Sequence, residues 1–307
     1  GLTVLGNPNF AVNQQLNYVG FANPDGLNPL DSEAYYVGNS NLSTGQDGSP
    51  SNPYFHITTA INAAIAAGRE YVIVQPGEYV GGFEIPDPTG TNNLTLISYD
   101  NADFVNRFDT AIHVTDAFNP STGGGIYIND SQNVTVQGFD FSGATMNYST
   151  TTTDLLVVPP APIYVDGSGT SDNISILENN FDNFDQPLVV NNTDSTTVTD
   201  NVFNDFDIRF TLIGATATSL DRVAALSIVG DTNVGNVQTA VVERNAFTNS
   251  FIRQTTGQNR YNSLVLVNRV EADLWANRFE NNEASAMITI DHWITEDPDP
   301  VSNPNTR

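Results

Sequence analysis

From residue 93 onward the apolar residues fall in short alternating or clustered runs, separated by Asn, Asp, Gly and Ser. A helix would space them every three or four positions, so this pattern predicts strand, turn, strand, turn. The clearest case is LENNFDNFDQPLVVNNTDSTTVTDNVFNDFD, residues 177–207, where NNFDNFD returns as NVFNDFD and Phe181 and Phe203 stand 22 residues apart. Between them, PLVV and STTVTD are β-branched runs bounded by turn residues.

Two strand types recur. One is GIYIND at 125–130, followed by PIYVDG from Pro162, PLVVNN from Pro187, ALSIVG from Ala225, SLVLVN from Ser263 and SAMITID from Ser285. The other ends in Asn-x-Phe at Phe181, Phe203, Phe247 and Phe279, with QGFDF at Phe141 a looser relative. Ile126 to Phe141, Leu188 to Phe203 and Leu264 to Phe279 are each 15 residues, while Ile163 to Phe181 is 18 and Leu226 to Phe247 is 21. A repeat near 22 with loop insertions predicts a solenoid whose coils stack on one another. Eight to ten coils at about 4.8 Å per strand would make a rod roughly 40–50 Å tall. Stacking in register would place Asn179, Asn201, Asn245 and Asn277 in one hydrogen-bonded column, at the left-handed turn between strands, with the phenylalanines stacked inside.

Ahead of these repeats, YFHITTAINAAIAAG carries Ile57, Ile61 and Ile65 on one helical face and stops at Gly68. EYVIVQPGEYV then reads as a buried strand, a Pro-Gly turn and a second strand. The expected organisation is an extended segment over 1–50 with a strand at AYYV, a parallel β-helix over 51–293 with its capping helix at about 54–67, and a polar tail over 294–307.

Composition narrows the setting. Ten basic residues, all arginine, against 35 acidic ones give a net charge of −25, and there is no lysine. Such a field repels phosphate backbones, which argues against nucleic acid as a partner. With no cysteine, a disulfide framework, a thiolate metal site and a cysteine nucleophile are excluded. No apolar stretch approaches the roughly 20 residues of a membrane-spanning helix, so membrane insertion is not expected. The opening GLTVLGNPNF shows no signal peptide and reads as a mature or trimmed start. A lysine-free, Asp-rich chain suits an extracellular or cell-surface location.

The stretch NPYFHITTAINAAIAAGREYVIVQPGEYVGGFEI resembles the capping helix and first coil of the right-handed parallel β-helix proteins of the pectate-lyase-like superfamily. GIYINDSQNVTVQGFDFSG and the Asn-x-Phe coils resemble the carbohydrate-binding and sugar-hydrolase type of β-helix repeat. Over roughly residues 35–293 the resemblance implies an all-β, single-stranded right-handed parallel β-helix. It implies less about activity, because this fold hosts lyases, hydrolases, epimerases, tailspikes, adhesins and surface-layer proteins. The epimerase DPHE motif and the paired-Asp motif of polygalacturonases are missing, and a lysine base is excluded. An arginine base with calcium, as in some pectate lyases, or a carboxylate pair is what remains of the superfamily's chemistry.

In such proteins the substrate groove runs along one parallel sheet walled by loops. Here the intervals Phe141 to Ile163, Phe203 to Leu226 and Phe247 to Leu264 are 22, 23 and 17 residues, against 7 from Phe181 to Leu188. Long loops on one side of a solenoid mark a binding side. Two of these loops hold Arg209, Arg222, Arg253 and Arg260, and Arg209 and Arg253 each follow their Phe by six residues. They would form a cationic rim for uronate or sulfate, with Arg209 and Arg253 as the catalytic candidates and Arg222 and Arg260 as substrate contacts, or else neutralise Asp205, Asp207 and Asp221. Alternation turns Tyr127, Tyr164, Val189, Ser227 and Val265 outward, and the tyrosines offer faces for sugar rings. Asp130, Asp166 and Asn191 are the candidate oxygen ligands should calcium be the cofactor. His113 and His292 are read as packed or solvated.

The expected function is an extracellular β-helix module with a structural, assembly or adhesive role, its partner another copy of itself or a surface polysaccharide. The alternative is a polysaccharide-active enzyme, a lyase or a related activity, on an anionic glycan such as pectate or alginate. Assembly ranks ahead of glycan binding, since no base or metal cluster accompanies the arginines.

Overall fold

The computed structural model describes residues 34–38, 46–49, 52–86, 93–98, 110–114, 124–143, 161–167, 172–184, 187–205, 207–211, 224–230, 238–256, 263–284 and 286–291, with 142–143, 207–211, 252–256 and 291 described by their backbone. Among these residues three sheets form, and every pairing within them is parallel. Sheet I has eight strands: Ala34–Val37, Tyr71–Val74, Leu94–Ser98, Val134–Gln137, Asn173–Leu177, Ser195–Thr199, Thr239–Glu243 and Glu271–Trp275. Sheet II has seven: Gly77–Val80, Thr110–Val114, Asp140–Gly143, Asn180–Asp182, Val202–Asn204, Ala246–Thr248 and Arg278–Glu280. Sheet III also has seven: Phe83–Pro86, Ile126–Asn129, Ile163–Asp166, Leu188–Asn191, Ala224–Val229, Ser263–Asn268 and Ala286–Asp291.

After Ala34–Val37 and the helix, from Tyr71 onward the chain visits the sheets in the constant order I, II, III. Each circuit is one coil, and the molecule is a parallel β-helix. The two strand types of the sequence are sheets II and III, and sheet I is a third type that the periodicity did not single out. Among the described residues there are seven full coils, fewer than the expected eight to ten, because insertions lengthen them. Phe141 pairs with Phe181, 40 residues on, and Phe203 with Phe247, 44 residues on. Eight stacked strands span about 34 Å rather than 40–50 Å.

Short turns separate the sheets, and they need residues in the left-handed conformation. At the I–II corner these are Gly138, Glu178, Asp200, Arg244 and Ala276, with φ of 83°, 55°, 59°, 53° and 55°. Each of these residues immediately precedes the ladder position, so the column asparagines do not themselves make the left-handed turn. What they supply is hydrogen bonding. Asn179, Asn201 and Asn245 each donate Nδ2 to the Oδ1 of the next asparagine, at 3.2, 3.0 and 3.0 Å, the last reaching Asn277. Each also donates Nδ2 to a sheet I carbonyl of the preceding coil: Val136, Ile176 and Val198, at 3.1, 2.8 and 2.8 Å. Each Oδ1 in turn accepts the backbone N–H of the residue one coil back. A buried amide thus satisfies both of its ends in a site that water cannot reach.

Two residues further on lies the phenylalanine column. Phe141, Phe181, Phe203, Phe247 and Phe279 stack with centroid separations of 5.1, 5.0, 4.7 and 5.0 Å. The first four are fully buried. Each stacking step contributes about 1 kcal/mol beyond the apolar area removed from water.

The helix runs Ile57–Ala67, three residues shorter at its start than expected, because His56 is extended (φ −114°, ψ 134°) and serves as the N-cap position. Ile57, Ala60, Ile61 and Ala64 are buried, and Gly68 ends the helix at φ 65° with its N–H on Ala64 and Ile65 carbonyls. The helix packs on Ala34–Val37, Tyr71–Val74 and Phe83–Pro86, which closes the N-terminal end of the core.

Candidate functional site

Sheet III presents two outward columns. The first runs in register through Glu84, Tyr127, Tyr164, Val189, Ser227, Leu266 and Thr289. Leu266, not Val265, belongs to this column. Leu226 pairs with Val265, so Val265 faces the core, where it is 1% exposed. The second column, two residues on, is Pro86, Asn129, Asp166, Asn191, Val229, Asn268 and Asp291.

This face is not an open, solvated surface. Every residue of Ala224–Val229 is buried, inward and outward alike, and Val189 is only 3% exposed. Tyr127 is 7% exposed, and its ring lies 5.8 Å from that of Tyr164 at 31°. Burial pushes the Tyr127 hydroxyl up to about 12, helped by the charges of Asp166, Glu84 and Asp130. It is therefore a neutral hydrogen-bonding phenol at ordinary pH. Tyr164 is half-buried, and its hydroxyl accepts Nδ2 of Asn191 at 2.9 Å. Among the described residues Asn191 Oδ1, Ser227 Oγ and Asn268 Oδ1 are buried without a hydrogen-bond partner. Buried acceptors left this way call for a donor from water or from a ligand.

Of the metal-ligand candidates, Asp166 and Asn191 sit side by side in register, and Asp130 lies at the turn beyond them with its N–H on the Asp166 carbonyl at 2.9 Å. Among the described residues no group of three or more His, Asp or Glu side chains gathers as a metal site.

Two segments that follow sheet II strands form a strand pair of their own. Asp207–Thr211 and Phe251–Thr256 pair as a further parallel two-stranded sheet, with Arg209 in register with Arg253. Equal offsets from Phe203 and Phe247 produce that register, because both phenylalanines already share one column. Arg222, Arg260 and His292 lie outside the described residues. His113 is half-exposed on sheet II with Nε2 3.6 Å from Glu78 Oε2. Arg244, which no motif in the sequence singles out as an ionic centre, pairs with both oxygens of Asp200 at 3.0 and 2.8 Å and with Glu243 at 2.8 Å. Asp200 and Arg244 both stand one residue before a ladder asparagine, and that shared position was the available signal.

Three parallel sheets wound in constant order define the class, a parallel β-helix protein. No family model matches the chain, and no curated protein matches it. Among solved structures it is similar to Escherichia coli YbhC, at 12% identity over 85% of this chain and 68% of that one, with a TM-score of 0.42. It is also similar to the Streptococcus pneumoniae surface protein and adhesin PfbA, at 12% identity over 76% of this chain and 91% of that one, with a TM-score of 0.26.

Proposed function

We propose that the chain is an extracellular β-helix module that serves a structural or adhesive role by holding an acidic polysaccharide at the paired strands Asp207–Thr211 and Phe251–Thr256. The observation that carries this reading is the in-register pair Arg209 and Arg253 on the paired loop strands. Like charges on adjacent parallel strands repel unless an anion lies between them, and a guanidinium suits a carboxylate or sulfate. The extracellular setting is supported by the lysine-free, acidic composition.

The test is calorimetric titration with alginate, pectate and sulfated oligosaccharides against the unaltered chain and the Arg209→Gln/Arg253→Gln double variant. Binding should weaken about a hundredfold in the variant, the loss of two charge-assisted contacts at about tenfold each, with melting unchanged. A double variant that binds as well as the parent sinks the reading. If the variant instead loses self-association, visible by light scattering, the paired strands serve assembly. Unsaturated sugar ends accumulating during the titration would favour the lyase alternative, with one of these arginines as base.

A further inference from the structure

Seven Asn-x-Ser/Thr triplets occur in the chain, headed by Asn41, Asn93, Asn129, Asn133, Asn147, Asn173 and Asn191. Asn41 and Asn147 lie outside the described residues. The fold sorts the other five into two groups. Asn93, Asn133 and Asn173 are 40 residues apart and fall on three consecutive coils, each one residue before the mutually paired sheet I positions Leu94, Val134 and Ile174. They form one column at the III–I corner, at levels about 4.8 Å apart. Asn93 and Asn173 are exposed and Asn133 is half-buried. Their hydroxyl partners Thr95, Thr135 and Ser175 are in register on the outward side of sheet I, while Leu94, Leu96, Val134, Val136, Ile174 and Ile176 fill the core.

The remaining two triplets are used up by the fold. Ser131, the hydroxyl of the Asn129 triplet, is buried and donates to the carbonyl of Ile85 at 2.8 Å. Thr193, the hydroxyl of the Asn191 triplet, is buried against Thr196. The Asn191 amide itself donates to Tyr164 within the covered face of sheet III.

We propose that Asn93, Asn133 and Asn173 are N-glycosylated and form a glycan stripe along the III–I corner, and that Asn129 and Asn191 are not modified. This rests on the extracellular setting proposed above, since the triplet marks an acceptor in secreted chains. In the transfer, a bond forms between Asn Nδ2 and the anomeric carbon of a lipid-pyrophosphate-linked oligosaccharide. The bond from that carbon to the phosphate oxygen breaks, the lipid pyrophosphate departs with the electron pair, and the amide nitrogen gives one proton to a base of the transferring enzyme. The product amide keeps one N–H and its oxygen. The contact between Asn173 Nδ2 and Asn133 Oδ1, 2.8 Å long, therefore has both a donor and an acceptor left after both residues are modified.

Glycopeptide mass spectrometry of the chain recovered from its natural source reads each asparagine separately. The expected result is saccharide mass on the peptides of Asn93, Asn133 and Asn173 and none on those of Asn129 and Asn191. Thr95→Val, Thr135→Val and Ser175→Ala should each abolish the mass at their own asparagine only. Bare asparagine at all three positions in a chain found outside the cell overturns the proposal and leaves the extracellular reading standing. Recovery from the cytoplasm overturns that reading instead. The column is then judged by secreting the chain through a glycosylating host, where three bare asparagines again overturn it. Saccharide on Asn129 or Asn191 overturns it as well, because the fold would then not select among the triplets.

Discussion

At the scale of single residues, Asp140 shows how a coil position acquires a cost. It lies on the outward side of sheet II, where its Oδ1 accepts Nδ2 of Asn180 at 2.7 Å. Burial raises its carboxyl above the ordinary 3.8, the Asn180 bond opposes this, and the charge of Asp182 one coil on adds to the rise. A carboxyl that holds its proton more tightly when folded favours folding below its unfolded value, and that contribution is lost as pH rises through the folded value. Ionised Asp140 therefore weighs against the fold at neutral pH. Asp140→Asn, which keeps an oxygen for Asn180, should melt higher than the parent at pH 7, and the gain should vanish below about pH 3.5. Paired thermal melts across that range decide it, and a gain that persists in acid would refute the account. Little of this was legible in the sequence, since exposure of an outward strand residue depends on its neighbours in the adjacent coils, of which Asn180 lies 40 residues away along the chain. The same holds for Tyr127. Alternation placed it outward on sheet III, and nothing local told that the outward face is covered. Val265 was misplaced for a related reason: SLVLVN is apolar at nearly every position, so periodicity could not choose its register.

At the scale of elements, the two columns inside the helix differ in kind, and their magnitudes can be ranked. Asn201 Nδ2 donates to the carbonyl of Ile176 and to Asn245 Oδ1, and its Oδ1 accepts both the backbone N–H and Nδ2 of Asn179. Replacing it with Leu leaves several buried groups unpaired, at roughly 1–3 kcal/mol each. Phe203→Leu keeps an apolar side chain and loses two stacking contacts, for a total of about 2 kcal/mol. Urea unfolding should therefore show Asn201→Leu destabilised by about 4 kcal/mol or more, at least twice the loss in Phe203→Leu. The reverse order would mean that stacking, not the amide ladder, holds the coils in register. These columns were legible because Asn-x-Phe pins a side chain of fixed chemistry to a fixed corner. Sheet I was not, because its Ser, Thr and Val strands carry no residue that must recur. The pairing of Asp207–Thr211 with Phe251–Thr256 was half-legible. Equal offsets gave the proximity of Arg209 and Arg253, but the strands themselves lie in loops whose length hides any period.

At the scale of the whole molecule, the charge of −25 must be accommodated by a rod whose levels repeat about every 4.8 Å. Stacking brings carboxylates on successive coils closer together than they would lie on a globular surface, as Asp140 and Asp182 illustrate. Among the described residues the best formed ion pair, Arg244 with Asp200, is exposed, and such pairs contribute little. Self-repulsion should then dominate the response to salt. The screening length falls from about 30 Å at 0.01 M to about 3 Å at 1 M, so added NaCl removes most repulsion between coils while weakening a small attractive contribution. The melting temperature should rise steadily over that range, with most of the gain below about 0.3 M, where the screening length shrinks past the spacing of neighbouring coils. A flat or falling curve would mean that arginine pairs, not repulsion, set the balance. Calcium separates screening from binding. At matched ionic strength and low concentration it should reproduce the sodium curve if only screening acts. An additional rise that disappears in Asp166→Asn would instead be the mass-action signature of a cation held by the folded chain at the Asp166–Asn191 level of sheet III.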